Sequence, residues 1–254
     1  MTDGLGRAVV LPARIERVVT LAPNLTEMIF ALGAQAKIVG TDDYSNFPDA
    51  ARKLTKVGGM QPNVEKIAAL KPDLVIASSE GNHPALAPAL AAAGIALYVV
   101  RTDRLNEIAP AMMRVGELLD APRTADAVRE LERDIAAQKR TRAKKLRVMF
   151  AVWVDPLYVG GRETFTDDLL TLAGAENAVL VKGWPQYSLE SLLASPPDMI
   201  LYPRGAVTPQ QIAALQKRVP ELKAQIVAVD EDIFQRPGPR VAQAARALNA
   251  ILDQ

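Results

Sequence analysis

Val64-Glu65-Lys66-Ile67-Ala68-Ala69-Leu70-Lys71-Pro72-Asp73-Leu74-Val75-Ile76 and Leu189-Glu190-Ser191-Leu192-Leu193-Ala194-Ser195-Pro196-Pro197-Asp198-Met199-Ile200-Leu201 are two copies of one pattern, in register at a constant 125 residues. Every apolar position but one is matched. Each copy reads as a short helix ended by proline, a turn at aspartate and a buried strand. A period this long makes the chain two similar α/β units, not one large domain.

The likeness extends outward more loosely. Arg17-Val18-Val19-Thr20-Leu21 has a counterpart in Arg147-Val148-Met149-Phe150-Ala151. Leu25-Thr26-Glu27 opens a helix that ends Leu32-Gly33-Ala34, and Phe165-Thr166-Asp167 opens one that ends Ala173-Gly174-Ala175. In both, the threonine is expected as N-cap and the glycine as C-terminal stop. Apolar runs rich in Val, Ile and Leu predict strands at 17–22, 37–40, 74–77 and 95–100, then at 147–154, 178–181, 199–202 and 226–230. Amphipathic Ala/Leu/Glu segments between them predict parallel sheets covered by helices on both faces. From Leu105 to about Arg142 apolar residues recur at three- and four-residue spacing without a strand signal, and Pro122 offsets the helix before Thr124. The expected organisation is an N-terminal α/β unit at 1–104, a connecting helix at 105–143 and a C-terminal α/β unit at 144–254.

Composition narrows the chemistry. The 254 residues are 49% hydrophobic and 23% charged, with 30 Lys+Arg against 29 Asp+Glu, so no net field draws the chain to nucleic acid or anionic lipid. Zero cysteines exclude thiolate metal sites, disulfides and cysteine nucleophiles, and the single histidine, His83, excludes any two-histidine metal site. Absence of cysteine fits cytosol and periplasm equally. The uncharged stretch 81–100 is broken by Pro84, Pro88 and Gly94 and is mostly alanine, so it reads as a helix and a short strand and not as a membrane span. Met1 to Arg7 carries no apolar run of signal-peptide type: either the chain is cytoplasmic, or a leader has been removed and Met1 added.

No Gly-x-Ser-x-Gly elbow, Walker A loop or Gly-x-Gly-x-x-Gly turn occurs. Gly160-Gly161-Arg162 could offer backbone N–H groups to an anion, and His83, the one imidazole a catalytic triad could use, sits in what reads as a loop. No catalytic residue, cofactor or resident metal is expected. Polar and aromatic residues gather instead where strands end, the place at which open α/β sheets bind ligands. From the first unit come Asn24, Tyr44, Met60, Ser79 and Asn82; from the second come Trp153, Trp184, Arg204, Asp232, Phe234 and Arg236. The chain has only 12 aromatics, and several fall in these loops, where each either packs its own loop onto the sheet or joins a flat apolar ligand surface.

These residues carry a resemblance. The stretches 17–27, 44–48 (Tyr-Ser-Asn-Phe-Pro), 63–76, Trp184-Pro185-Gln186 and 232–236 with Pro239-Arg240 are similar to the periplasmic substrate-binding proteins of ABC importers for cobalamin, heme and ferric siderophores, closest to the cobalamin-binding members. The resemblance runs nearly end to end. It implies two Rossmann-like lobes joined by one long backbone helix, and a monomeric, non-enzymatic receptor, in the periplasm or lipid-anchored at the membrane surface without inserting into it. It implies that a corrinoid, cobalamin or cobinamide, is held in the inter-lobe cleft and delivered to a membrane permease dimer. By position, Tyr44, Trp184, Asp232, Phe234 and Arg236 match residues near the corrinoid, whereas Met60 and Ser78 or Ser79 stand where tryptophans are found. Glu65 and Glu190 resemble the acidic feet that pair with permease arginines, although each would also favour its helix dipole as a first-turn acid. The alternatives are heme, for which only His83 or Tyr44 could ligate iron, a ferric siderophore, which wants more cations than Arg162, Arg204 and Arg236 provide, or a cytoplasmic α/β enzyme.

Overall fold

The repeat is visible in the backbone down to its hydrogen bonds. The structure, a computed structural model, describes residues 1–81 and 83–254, and the chain divides into two compact units, Met1–Glu132 and Arg133–Gln254.

In the first unit β1 (Val18–Thr20), α1 (Pro23–Ala31), β2 (Ile38–Thr41), α2 (Val64–Ala69), β3 (Leu74–Ser78), α3 (His83–Ala92), β4 (Ala96–Val100), α4 (Leu105–Leu118) and α5 (Thr124–Ala136) follow in order. All four strands are parallel, in the order β2-β1-β3-β4. Val19, Val75, Ala77, Leu97 and Val99 meet Ile67 and Leu90 in one apolar layer. On the same principle of apolar burial, α4 packs on α1 inside this unit. The connecting segment is therefore two helices: α4 belongs to the first unit, and the unit boundary falls within α5. His83 opens α3 where a loop was expected.

The N-terminus closes the edge of this sheet. Gly4 N donates to Val99 O at 2.7 Å, and Asp3, buried, accepts from Leu5 N, Arg7 N and the Arg7 guanidinium. Burial pushes the Asp3 carboxyl up, but the side-chain and backbone hydrogen bonds from Arg7 and Leu5 outweigh it and hold the group below the usual carboxylate range.

The second unit comprises β5 (Arg147–Val154), β6 (Leu157–Gly160), α6 (Phe165–Leu172), β7 (Glu176–Asn177), α7 (Leu189–Ala194), β8 (Met199–Arg204), α8 (Pro209–Arg218), β9 (Gln225–Asp230), α9 (Glu231–Phe234) and α10 (Val241–Leu252). The sheet runs β6-β5-β8-β9, and β7 pairs with the first residues of β5. Two expectations fail here. Residues 178–181 form no strand: only Glu176 and Asn177 pair with β5, and Leu180 and Val181 are 72% and 56% exposed. Leu157-Tyr158-Val159-Gly160, outside the expected strands, is a strand that turns back antiparallel on β5, so this sheet is mixed where a parallel one was expected.

The matched segments form matched contacts. Asp73 Oδ2 accepts from Glu16 N and Arg17 N at 2.8 Å, and Asp198 Oδ2 accepts from Arg147 N at 2.8 Å. The guanidinium of Arg17 donates to Leu70 O and Lys71 O, and that of Arg147 to Pro196 O and Ser195 Oγ. Gly33 (φ 78°) and Gly174 (φ 74°) end α1 and α6 in identical fashion. Gly33 N bonds Phe30 O and Ala34 N bonds Ile29 O; Gly174 N bonds Thr171 O and Ala175 N bonds Leu170 O. The expected threonine caps are displaced. Pro23 starts α1 early, leaving Thr26 inside the helix, and Thr164, two residues before Thr166, caps α6.

Candidate functional site

In the first unit the parallel strands deliver their following loops to one edge of the sheet. There a knot of hydroxyls sits beneath the loop after β2. Thr26 Oγ1 lies 2.6 Å from Thr20 Oγ1, 2.8 Å from Thr41 Oγ1 and 2.8 Å from Ser45 Oγ, all buried. Asp42, also buried, accepts from Ser45 Oγ at 2.5 Å through one carboxylate oxygen and from Tyr44 N at 2.8 Å through the other. Lys56 Nζ ties the loop from below, donating to Ser45 O at 2.6 Å and Asp42 O at 3.1 Å. Burial lowers the Lys56 ammonium below the usual lysine range, with Asp42 and Asp43 opposing.

This scaffold presents Tyr44, 55% exposed, beside Gly59, and Met60, 70% exposed, follows on the same loop. The other predicted residues of this unit are placed differently. Asn24 is buried at the start of α1, donating through Nδ2 to Thr102 Oγ1 at 3.1 Å, so it braces the loop after β4 and presents nothing outward. Ser79 Oγ donates to Asp103 and Ser79 N to Val100 O. Asn82 lies outside the described residues.

The second unit builds its face from the β5–β6 hairpin and the segments after β8 and β9. Trp153 and Tyr158 are cross-strand partners and both exposed, with Trp153 Nε1 donating to Asp155 O at 2.8 Å. The stretch carrying Trp184 runs alongside β6, with Gly161 N bonding Gly183 O and Val159 N bonding Pro185 O, and leaves Trp184 41% exposed against Gly160. Thr166, Asp167 and Asn177 form the buried polar support on this side. Asn177 Nδ2 donates to Gly160 O and to Asp167 Oδ1, both at 3.1 Å.

At the end of β9, Arg236 and Asp232 form an ion pair of 2.5 Å, and the Arg240 guanidinium donates to Asp232 O. Arg204, ending β8, is exposed. Phe234 is corrected from a surface contact to a core residue: it is 1% exposed and stacks on Phe150 with ring centroids 6.3 Å apart. Its place right after a strand end was a misleading signal, because a one-turn helix folds it inward. Residue types alone do not reveal the supporting Thr26, Asp42 and Lys56, whose roles depend on strands far apart in sequence.

Glu65 and Glu190 take matching places, each the second residue of a short helix and each exposed. Asn63 caps α2 at Lys66 N and Ser188 caps α7 at Ser191 N, with Ile67 and Leu192 buried beneath. Among the described residues no group of three or more His, Asp or Glu could hold a metal ion, and no helix is long and apolar enough to cross a membrane.

Comparison with known proteins adds an independent line. The sequence pattern of the periplasmic binding protein family matches residues 18–234. The vitamin B12-binding protein of Pectobacterium carotovorum subsp. carotovorum (strain PC1) is 31% identical over 242 residues, covering 92% of this chain and 87% of that one. Among solved structures, the periplasmic vitamin B12 binding protein BtuF of Vibrio cholerae superposes with a TM-score of 0.80 at 28% identity, covering 95% and 98% of the two chains. The periplasmic heme-binding protein RhuT from Roseiflexus sp. RS-1, in apo form, gives 0.81 at 26% identity, covering 93% and 97%.

Proposed function

The chain belongs to the periplasmic binding protein family, and from that premise we propose that it captures a corrinoid, cobalamin or cobinamide, and hands it to the permease dimer of an ABC importer. As a family member it is a substrate-binding protein and not an enzyme, and its place is the periplasm. The observation that carries the corrinoid is the 31% identity to a vitamin B12-binding protein along 92% of the chain. The exposed aromatics and paired charges support it: a cargo whose metal is already chelated needs apolar walls and a few hydrogen bonds, not ligating side chains. Tyr44 and Met60 from the first unit and Trp184 with the Asp232–Arg236 pair and Arg204 from the second are the contacts proposed, with Asn24, Ser79 and Phe234 as supports behind them.

Titration of the protein with cyanocobalamin, cobinamide and hemin, following quenching of Trp153 and Trp184, tests this reading. A corrinoid is expected to bind more tightly than about 1 μM, about −8 kcal/mol. Failure of both corrinoids at that concentration overturns it. The likeness to a heme-binding structure favours hemin as the second reading, with the exposed Tyr44 phenol as the axial ligand. In that case Tyr44→Phe abolishes the shift of the hemin absorption band.

Delivery is assigned to Glu65 and Glu190, one carboxylate for each half of a pseudo-symmetric permease. Replacing both by alanine is expected to abolish stimulation of the transporter ATPase while ligand affinity stays the same. Stimulation that survives the double substitution removes this assignment.

A further inference from the structure

Each unit sets an exposed aromatic against a glycine that has no room for a methyl group. A Cβ built on Gly59 would lie 2.9 Å from the Tyr44 hydroxyl oxygen, 3.0 Å from Cε2 and 3.1 Å from Cζ. A Cβ on Gly160 would lie 3.2 Å from Cζ3 of Trp184 and 2.2 Å from Thr166 Oγ1. Neither glycine has a positive φ, so the backbone does not require glycine at either place. What requires it is the close approach of a side chain.

The aromatics are also fixed from behind. Tyr44 N is held by Asp42 Oδ1 at 2.8 Å, and the Trp184 segment is hydrogen-bonded to β6 and its continuation on both sides of the ring. With its backbone pinned, an aromatic has only its side-chain torsions left to choose a tilt. A methyl on Gly59 would push the Tyr44 ring aside, and one on Gly160 would meet Thr166 first and shift Trp184 by a few tenths of an ångström.

We infer that Gly59 and Gly160 are positioning residues that set the angle at which Tyr44 and Trp184 meet a flat ligand, and so tune which macrocycle is accepted. The inference rests on the ligand-binding reading above. A ring presented in advance contributes contact area without the entropy cost of ordering it on binding, so a displaced ring costs affinity even when the fold is unchanged.

Gly59→Ala is the clean test, because the three nearest atoms its methyl meets all belong to the Tyr44 side chain, which can yield without moving backbone. Cyanocobalamin affinity is expected to fall about tenfold, a change of about 1.4 kcal/mol, with the melting temperature unchanged. In a double-mutant cycle, Gly59→Ala added to Tyr44→Ala is expected to lose nothing further. Additive losses overturn the inference.

For Gly160 the Thr166 contact threatens folding, so Gly160→Ala is combined with Thr166→Ala and compared with Thr166→Ala alone. In a Trp153→Phe background Trp184 is the sole indole, since the chain has two tryptophans. Its emission maximum and quenching by acrylamide, measured without ligand, are expected to change when the methyl is added. An unchanged Trp184 signal overturns the inference. Should the wild type bind neither corrinoids nor hemin, the functional reading falls, and the ligand-free fluorescence still decides whether Gly160 positions Trp184.

Discussion

Where the first unit places Thr20, the second places Phe150, at the same point of the first strand opposite equivalent positions, Ile76 and Leu201, of the neighbouring one. Thr20 opens the hydroxyl knot with Thr26, Thr41 and Ser45; Phe150 stacks on Phe234. One frame thus supports the loops at its strand ends through a polar cluster in one unit and through an aromatic pair in the other. A satisfied polar cluster specifies geometry at small net gain in stability, whereas an aromatic pair mostly contributes burial. The frame itself is indifferent to the choice, because the Arg–Asp contacts and glycine helix stops that define it lie elsewhere.

If that contrast is right, Phe150→Ala has the largest effect. It should cost about 3–5 kcal/mol in urea denaturation and loosen the segment holding Asp232 and Arg236. A loss under about 1 kcal/mol would mean the stack contributes little beyond what the cavity can recover. Thr26→Val comes next. It leaves three buried hydroxyls short of a partner and should cost about 1–3 kcal/mol, measured the same way; no change would show that the knot is redundant.

The shared frame is probed by Asp73→Ala and Asp198→Ala. Asp73 anchors two backbone N–H groups and Asp198 one, so the first should be the more destabilising by about 1 kcal/mol. Equal losses would break the correspondence. The smallest effect belongs to a feature the second unit lacks, the N-terminal turn around Asp3. Its folded-state carboxyl is depressed, so the stability it contributes is complete above the ordinary carboxylate value and is lost as pH falls through the lower folded one. Hydrogen-exchange protection of the Gly4 and Arg7 amides should therefore drop as pH falls below about 4 and stay constant above it. Protection that persists into stronger acid would remove Asp3 as the cause.

The frame was legible because it is written in local chemistry: Pro-Asp turns, apolar runs and glycine stops act over a few residues. The register between units shows where local reading fails. It is 130 residues at Arg17 and Arg147, 140 at Thr26 and Thr166, and 125 at Glu65 and Glu190. The second unit has gained the β5–β6 hairpin before its first helix, and the first unit has a longer loop between β2 and α2. Those two elaborations carry Trp153, Tyr158, Tyr44 and Met60, and the sequence misled at the hairpin and at positions set by distant partners. Ala178 to Val181 has strand composition, but β6 and the Trp184 stretch occupy the edge it would need. Asn24 and Phe234 have the residue types of a binding site, yet both are buried, a fact set by partners at Thr102 and Phe150 that no short window contains.

The boundary between the compact units, inside α5, also governs how the chain can be cut. A protease needs an extended, accessible stretch, and helical backbone refuses one. The first such stretch beyond the boundary is the exposed segment after α5, where Lys139, Arg140, Lys144 and Lys145 offer trypsin several bonds in quick succession. Cleavage there leaves the final turn of α5, from Arg133 onward, on the wrong fragment. The nicked C-terminal piece thus begins life without the helical turn its own compact unit includes.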